Sequence, residues 1–446
     1  MKRKTGIGVG AALLLSIFAL LFIPARQPLE QNPAQAAGQE LAASPGDTEN
    51  TENRETTENT ENTLDPLEQE TIVPELMSRA AVLYDIGTGK LLFEKDGDES
   101  ISPASMTKLM TLHLAYKAIE SGELSRETEI TVSERADFRN QPGGSSLMFL
   151  EEGQELTLLE LMRGLAVPSG NDAAVALAEA VSGTLEDFVE EMNREAERLG
   201  LKEVEFVEPA GIDSANRATA RSFGRFCLIY LEEHPYALKE LHGIEEYTYP
   251  NSWNLSDGAA SVYGPITQEN YNLLVGRHPW VDGLKTGYIS EAGYNIAVTA
   301  THGERRLLAV VMGGPGENTR EGNLSRVIDG THLLSYGFYA YSRVRPRVPE
   351  LETVRVWGGE TKRLEIEMPE PEFFLVPAEK VGYLRDKTVI DGPLKAPVSE
   401  GEEVGRLIIS LGTEKLGEYP ITASHSVEEG SVMRRIWDFL GLRLSD

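Results

Sequence analysis

The 446-residue sequence contains a single cysteine, Cys227, so it can form no intrachain disulfide and no cysteine-based zinc cluster. Cys227 lies in an apolar run, and we interpret it as a small buried residue. The seven histidines include no HExxH pair, which argues against a metal site. Basic residues are also few: 42 Lys and Arg against 71 Asp and Glu give a net charge of −29. Because such a field repels phosphate backbones, we expect no nucleic-acid partner.

A long apolar run follows Met1-Lys2-Arg3-Lys4 and spans residues 6–23. A basic start before an apolar segment is typical of an export signal. Residues 34–36 (Ala-Gln-Ala) offer a cleavage site, whereas 18 uncharged residues could also just span a bilayer as an uncleaved anchor. Residues 1–39 are therefore predicted to be a signal peptide or an N-terminal membrane anchor. Either one places the protein outside the cytoplasm, secreted or held at the outer face of the cytoplasmic membrane.

Residues 40–70 have a different composition from the rest of the chain. They contain ten acidic residues and one arginine, with imperfect Thr-Glu-Asn repeats and almost no large apolar side chains. Burial cannot offset the entropy of ordering such a segment, so we predict a disordered acidic linker. The chain as a whole is 41% hydrophobic, enough for the remaining residues to build a core.

The periodicity of apolar residues predicts two folded domains. A hairpin is predicted at residues 80–94, and spacing typical of helices follows in residues 103–119, 156–166, 172–181, 185–199 and 220–232. Alternation returns at residues 281–288, 294–300 and 306–312, before a last helical pattern at 324–341. Strands on both sides of a helical block predict an α+β domain over residues 71–342, with an antiparallel sheet covered by helices. Short strands with Gly and Pro turns predict a small all-β C-terminal domain, a β-sandwich, over residues 343–425.

Residues 426–446 contain an amphipathic helical pattern. Its apolar face carries Met433, Ile436, Trp437, Leu440 and Leu444. One interpretation is a helix that lies on a membrane surface, with an interfacial tryptophan. The other is a helix that docks on its own domain, and the sequence favours neither.

Three short motifs carry the chemistry. Ser105-Met106-Thr107-Lys108 places an amine one helical turn after a hydroxyl, and a serine needs such a neighbouring base to become a nucleophile. Lysine acts as a base only when burial or a nearby cation disfavours its charged form. Ser169-Gly170-Asn171 follows a Pro168 turn, where it could relay a proton and hold an amide or simply cap the next helix. Lys285-Thr286-Gly287 puts a cation and a hydroxyl on a strand, suited to a carboxylate.

In this order, the three motifs resemble the signature of penicillin-binding proteins and serine β-lactamases. The surrounding segments are more similar to D-alanyl-D-alanine carboxypeptidases, the low-molecular-mass penicillin-binding proteins. The resemblance spans residues 80–341 and implies a β-lactamase/transpeptidase-like domain. It also implies release of the terminal D-alanine from peptidoglycan pentapeptides through an acyl-enzyme, in cell-wall biosynthesis and remodelling. β-Lactam antibiotics would act as covalent inhibitors, and no cofactor would be needed.

The resemblance also implies roles for the motif residues. Ser105 would be the acylated nucleophile, Lys108 its general base, and Ser169 a proton relay toward the leaving D-alanine. Asn171 would hold the substrate amide, and Lys285 would supply electrostatic support.

The remaining substrate-binding residues follow from the same comparison. Backbone N–H groups of Ser105 and Tyr288 would form the oxyanion hole, and Gly287 would let the substrate approach. Thr286 would bind the terminal carboxylate together with Arg320, six residues after the Gly313-Gly314 pair. One position departs from the family pattern, because Tyr271 stands between two asparagines where many relatives have arginine.

Two alternative functions compete with this hypothesis. A class A β-lactamase would need a Glu-x-x-Leu-Asn segment, whereas residues 205–209 read Glu-Phe-Val-Glu-Pro. A non-catalytic protein that binds the cell wall or senses β-lactams would not need a lysine beside a helix-start serine.

Overall fold

A computed structural model describes residues 73–443, except residue 252 and residues 255–263. The side chains of residue 439 and residues 441–443 are also outside the description. The predicted signal or anchor (residues 1–39) and the predicted linker (residues 40–70) lie outside the described residues and stay predictions. Within the described part of the chain, no helix is both long and apolar enough to cross a membrane.

The α+β domain predicted at residues 71–342 is built on a five-stranded antiparallel sheet, as the sequence predicts. Its strands are β1 (Ala80–Asp85), β2 (Lys90–Lys95), β9 (Val281–Ile289), β10 (Gly293–His302) and β11 (Arg305–Gly314). They lie in the order β2-β1-β11-β10-β9, so β9 is an edge strand. Gly303 adopts a φ of +61° in the two-residue turn between β10 and β11, a conformation that glycine reaches without steric cost.

Helices cover both faces of this sheet, which explains why most positions of its central strands are buried. The helices of the domain are α1 (Lys108–Ser121), α2 (Leu158–Ala166), α3 (Asn171–Ser182), α4 (Leu185–Arg198), α5 (Ala220–Glu233) and α6 (Thr319–Ala340). Successive strand residues point to opposite faces. Thus Val82 packs in the core that includes α1 and α5, whereas Leu83 packs with Leu333 of α6.

Local capping fixes several helix starts where the sequence predicts them. Thr184 accepts a hydrogen bond from the backbone N–H of Asp187, and Thr157 forms a reciprocal capping box with Glu160. α6 begins five residues before its predicted start, because Asn318 caps it by accepting from Glu321 N.

Six short strands join this block in pairs: β3 (Ser100–Ile101), β4 (Glu129–Thr131), β5 (Glu155–Thr157), β6 (Ala218–Thr219), β7 (Glu246–Tyr249) and β8 (Ile266–Glu269).

The C-terminal module is all-strand, followed by one helix. Its strands are β12 (Tyr341–Val344), β13 (Thr353–Trp357), β14 (Arg363–Glu367), β15 (Phe374–Pro377), β16 (Leu384–Ile390), β17 (Leu394–Lys395), β18 (Glu403–Leu411) and β19 (Glu414–Ala423). Six form a sheet in the order β16-β18-β19-β14-β13-β17, and β12 pairs with β15. Leu364, Leu407 and Ile421 lie in its separate apolar core. The last helix is α7 (Val432–Arg443).

Close packing of α6 on β10 gives a test of the fold. A Cβ at Gly322 would lie 1.9 Å from the ring of Tyr294. We expect Gly322→Ala to lower the free energy of unfolding by about 1–2 kcal/mol, since overpacking costs more than the roughly 1 kcal/mol gained in helix propensity. Urea denaturation measures this change. Gly382→Ala is the control, because a Cβ there has no heavy atom within 4 Å, and equal stabilities of the two variants would contradict the contact.

Candidate active site

The first motif lies on a 3₁₀ turn, Ala104–Thr107, that leads directly into α1. Ser105 is in this turn, and Lys108, the first residue of α1, is fully buried. The Lys108 Nζ lies 3.0 Å from the Ser105 Oγ, 2.8 Å from the Asn171 Oδ1 and 2.5 Å from the Ala210 carbonyl oxygen. The predicted proximity of hydroxyl and amine is therefore present.

The surroundings of Lys108 make it a candidate base. Burial lowers the pKa of Lys108 to about 7, while the negative charges of Glu208 and Asp172 oppose this shift. A lysine with this pKa is partly neutral at neutral pH, and only the neutral amine can take the proton of a hydroxyl. Its three oxygen neighbours satisfy the buried nitrogen while leaving the Ser105 hydroxyl within reach.

The second motif, Ser169-Gly170-Asn171, lies beside Lys108. Ser169 is buried, with a φ of +62°, a left-handed conformation that costs a non-glycine residue about 1–3 kcal/mol. Its hydroxyl accepts a hydrogen bond from the Lys285 Nζ at 2.8 Å. Gly170, not Ser169, is the N-cap residue of α3, and no side-chain hydrogen bond caps that helix. Ser169 therefore faces Lys285 rather than capping α3.

A buried carboxylate holds the second motif against the segment before it. Asp172 accepts hydrogen bonds from the backbone N–H groups of Met148, Phe149 and Leu150, at 2.7–3.0 Å. The Asn171 N–H donates to the Ser146 carbonyl at 2.8 Å. These bonds fix the position of the Asn171 amide, whose oxygen reaches Lys108.

The third motif occupies the edge strand β9. Lys285 and Thr286 are buried, and burial with the nearby cations Lys108 and Arg326 holds the pKa of Lys285 well below its usual range. A Cβ at Gly287 would lie 2.4 Å from the Pro103 carbonyl oxygen and 3.1 Å from the Ser105 nitrogen. Only glycine therefore allows β9 to pack this closely against the Ala104–Thr107 turn that carries Ser105, here called the nucleophile turn.

Tyr288 follows the third motif and is half exposed. Its ring stacks on Tyr294 of β10, with the ring centroids 4.2 Å apart and the planes 27° apart. The two aromatic rings form a wall beside the exposed end of β9.

Two arginines of α6 differ in burial. Arg320 is exposed in the first turn of α6. Arg326, two turns further on, is buried, with its Nη1 3.4 Å from the carbonyl oxygens of Gly287 and Asn295. Its Nη2 also donates to the side chain of Asn323. The predicted role of Arg320 in binding the substrate carboxylate stays a prediction.

The burial of Arg326 can be read from the pattern of α6. Gly322, Arg326, Asp329 and Leu333 recur at helical spacing, and all four are buried. An arginine on such a buried stripe must be paired or functional, because a buried charge is costly without partners.

Tyr271, the departure from the family pattern, points outward. Its side chain is largely exposed, whereas Asn270 and Asn272 on either side are buried. Asn272 donates to the Gly283 carbonyl at 3.1 Å, and Asn270 donates to the His242 carbonyl at 3.1 Å. Asn272 thus supports β9, Asn270 holds the segment around residue 242, and position 271 contributes a phenol at the surface.

In the described part of the chain, one group of side chains other than those of the three motifs could supply metal ligands. His113, Glu233 and His234 place ligand atoms within 4.8 Å of one another. However, His113 already has hydrogen bonds to Glu195 at 2.7 Å and to His234 at 2.8 Å. His234 also bonds Glu120 at 3.0 Å, so the ring nitrogens form a hydrogen-bonded chain.

Comparison with known proteins assigns both folded regions. Residues 67–316 match the family described as D-alanyl-D-alanine carboxypeptidase. Residues 346–429 match the family of the penicillin-binding protein 5 C-terminal domain.

Relatives extend over most of the chain. The chain is 32% identical to D-alanyl-D-alanine carboxypeptidase DacC of Escherichia coli, over 84% of this chain and 90% of the relative. It is 31% identical to D-alanyl-D-alanine carboxypeptidase DacF of Bacillus subtilis, over 79% of this chain and 86% of the relative.

Solved structures give the same result. The structure of penicillin-binding protein 5 from Haemophilus influenzae superimposes with a TM-score of 0.61 at 29% identity, covering 81% of this chain and all of that one. The structure of penicillin-binding protein D2 from Listeria monocytogenes, in its ampicillin-bound form, superimposes with a TM-score of 0.50 at 26% identity. It covers 60% of this chain and all of that one.

The pKa of Lys108 predicts how acylation depends on pH. Below about pH 7 Lys108 is protonated and cannot accept the Ser105 proton, so the acylation rate constant should rise with pH through that value. Stopped-flow labelling with a fluorescent penicillin between pH 5 and 9 measures the profile. Lys108→Arg, which stays cationic, should abolish labelling at every pH. A profile without an acidic limb would contradict the neutral-amine mechanism.

Proposed function

This chain belongs to the D-alanyl-D-alanine carboxypeptidase family of penicillin-binding serine peptidases, and from that membership we propose how its site removes the terminal D-alanine of peptidoglycan pentapeptides. The observation that carries the proposal is the convergence of two pairs: Ser105 with Lys108, and Ser169 with Lys285. Each pair consists of a hydroxyl within 3.0 Å of a buried amine, and Asn171 joins the first pair. The first pair can activate a nucleophile and the second can deliver a proton.

The acylation step uses both pairs. Ser105 Oγ forms a bond to the carbonyl carbon of the penultimate D-alanine while its proton passes to Lys108. The C–N bond to the terminal D-alanine then breaks, and the leaving nitrogen takes a proton from the Ser169 hydroxyl, which Lys285 supports. The proton that Lys108 took from Ser105 replaces the one that Ser169 gives up, so both residues return to their starting protonation states. The backbone N–H groups of Ser105 and Tyr288 would stabilise the oxyanion.

Hydrolysis of the acyl-enzyme completes the cycle. Water attacks the ester carbonyl, one water proton returns to Ser105, and the shortened peptide leaves as a carboxylate with release of the second proton.

Recognition of the substrate's carboxylate falls to the cationic side of the site. Burial lowers the pKa of Arg326 to about 10, so its guanidinium still carries a full charge at neutral pH. Lys285 loses its proton more readily, because it is buried beside two other cations. We assign binding of the carboxylate to Arg320, in the exposed first turn of α6, and to the Thr286 hydroxyl, while the buried charge of Arg326 adds to the positive potential of the site. The free edge of β9 gives the extended peptide backbone a strand to pair with.

A β-lactamase is not favoured. The segment at residues 205–209 lacks the Leu-Asn of the class A pattern, and its Glu208 is engaged by backbone N–H groups. Slow-clearing covalent labelling by penicillin, rather than fast hydrolysis, is the behaviour that we expect.

Replacement of the nucleophile tests the function. Purified protein should release D-alanine from a pentapeptide, and Ser105→Ala should reduce both this release and fluorescent-penicillin labelling by at least about 1,000-fold. Ser125→Ala, at an exposed serine, is the matched control and should retain full activity. Release of D-alanine that survives Ser105→Ala would refute the mechanism.

We further propose that α7 holds the enzyme at a membrane surface, on the outer side of the cytoplasmic membrane. The polar side of α7 contacts the C-terminal module: Asp438 accepts from Gly358 N at 2.9 Å, and Arg434 donates to the Glu360 carbonyl at 2.7 Å. Its apolar side is left exposed, with Met433 67% and Trp437 70% exposed. This orientation supports the membrane interpretation over docking on its own domain.

Vesicle binding tests the proposed role of α7. A chain that lacks residues 1–70 should sediment with phosphatidylglycerol vesicles, and Trp437→Glu should reduce the bound fraction about tenfold, because a charge replaces an interfacial ring. Tyr339→Glu is the matched control, since Tyr339 is a similarly exposed aromatic residue on α6. Equal binding of both variants would contradict the proposal.

A further inference from the structure

The segment from Glu205 to Arg217 is a loop closed at its base and packed on the nucleophile turn. Glu205 and Arg217 exchange backbone hydrogen bonds of 2.9 and 2.8 Å. Gly211, with a φ of +80°, approaches the turn so closely that a Cβ would lie 1.9 Å from the Ala104 carbonyl oxygen and 2.8 Å from the Ser105 nitrogen. The same loop carries Ala210, whose carbonyl accepts from Lys108 Nζ.

A single carboxylate shapes this loop. The Glu208 Oε2 accepts from Ala210 N at 2.7 Å, and its Oε1 accepts from Gly211 N at 2.6 Å and Ile212 N at 2.8 Å. In a trans peptide group the N–H and the C=O point in opposite directions. Because the Gly211 N–H points at Glu208, the Ala210 carbonyl of the same peptide group points away from Glu208. The Ala210 carbonyl is thereby turned toward Lys108.

A buried amide extends this network to the first motif. Asn216 Nδ2 donates to Glu208 Oε1 at 2.8 Å and to Thr107 Oγ1 at 3.2 Å. Asn216 Oδ1 accepts from Val207 N at 2.7 Å, and both Asn216 and Thr107 are fully buried. The network thus reaches the residue that precedes Lys108 in the chain.

We propose that Glu208 is a positioning residue for Lys108: its carboxylate folds residues 210–212 so that the Ala210 carbonyl completes the three-oxygen environment of the general base. The inference rests on the proposed function, in which Lys108 deprotonates Ser105. Glu208 takes part in no proton transfer itself, because its oxygens are occupied by N–H donors.

Charge adds a second effect to this geometric one. The charged groups that act on Lys108 are Glu208 from the loop and Asp172 from α3, and Lys108 in turn lowers the pKa of the neighbouring Lys285 on β9. Glu208 and Asp172 favour the protonated form of Lys108, whereas burial disfavours it. Removal of the Glu208 charge should therefore make Lys108 lose its proton at lower pH.

The pH profile of acylation separates positioning from simple stabilisation of the fold. With Glu208→Gln we expect the acidic limb of the labelling rate constant to move down by roughly one pH unit. The maximal rate constant should fall about 10- to 100-fold, because the Ala210 carbonyl loses its orientation. A rate constant per active molecule is measured, so loss of folded protein alone does not change it.

Two further variants complete the experiment. Glu208→Asp keeps the charge but shortens the side chain, so its acidic limb should stay in place while its maximal rate constant falls. Glu205→Gln, at an exposed acid on the same loop, is the matched control and should behave as the wild type. If Glu208→Gln does not fold, Glu208→Asp still decides, because a wild-type rate constant there overturns the proposal.

If Glu208→Gln folds and the acidic limb of its labelling rate constant lies at the wild-type pH, the proposal for Glu208 is also overturned. Failure of the proposed function is distinguishable, because the wild type itself would then release no D-alanine or would do so without Ser105.

Discussion

Burial of positive charge at one place is the constraint on which the rest of the structure depends. Lys108, Lys285 and Arg326 are each at most 6% exposed, and a buried cation is costly unless acceptors surround it. Lys108 has three oxygen neighbours and Lys285 has two, so neither amine lacks a hydrogen-bond partner. These hydrogen bonds do not fully offset the cost of burying the charge, because desolvation still lowers the pKa of both lysines. This residual cost is what makes an ordinary amine available as a base.

The fold keeps these cations together by anchoring each to a different rigid element. Lys108 belongs to α1, Lys285 to the edge strand β9 and Arg326 to α6, on the other side of the sheet from α1. Gly287 permits contact between β9 and the nucleophile turn, and Gly211 permits the same for the loop that follows α4. At both positions a methyl group would push a catalytic element away, so close backbone approach, not side-chain packing, sets the distances in the site.

Contacts between residues close in the chain can be predicted from the sequence, whereas contacts between distant segments cannot. Ser105 and Lys108 are three residues apart at a helix start, so their contact follows from helical geometry alone. Counting from Gly313-Gly314 predicts a role for Arg320 that stays a prediction, whereas the spacing of motifs does not reveal that the buried arginine of α6 is Arg326. Glu208 appeared in the sequence only as part of a missing β-lactamase motif. Its role depends on three backbone N–H groups that converge only after the loop closes.

The sequence by itself determined the α+β class, the three motifs, the capping of α4 at Thr184 and the family resemblance, because each follows from residue types at short, fixed spacings. Tertiary structure alone decided that Lys285 reaches Ser169, 116 residues away, and that Lys108 reaches the Ala210 carbonyl, 102 residues away. It also decided which side of α7 faces solvent, since that depends on contacts with Gly358 and Glu360. Spacing along the chain carries no information about such contacts; packing of separate elements around buried charge creates them.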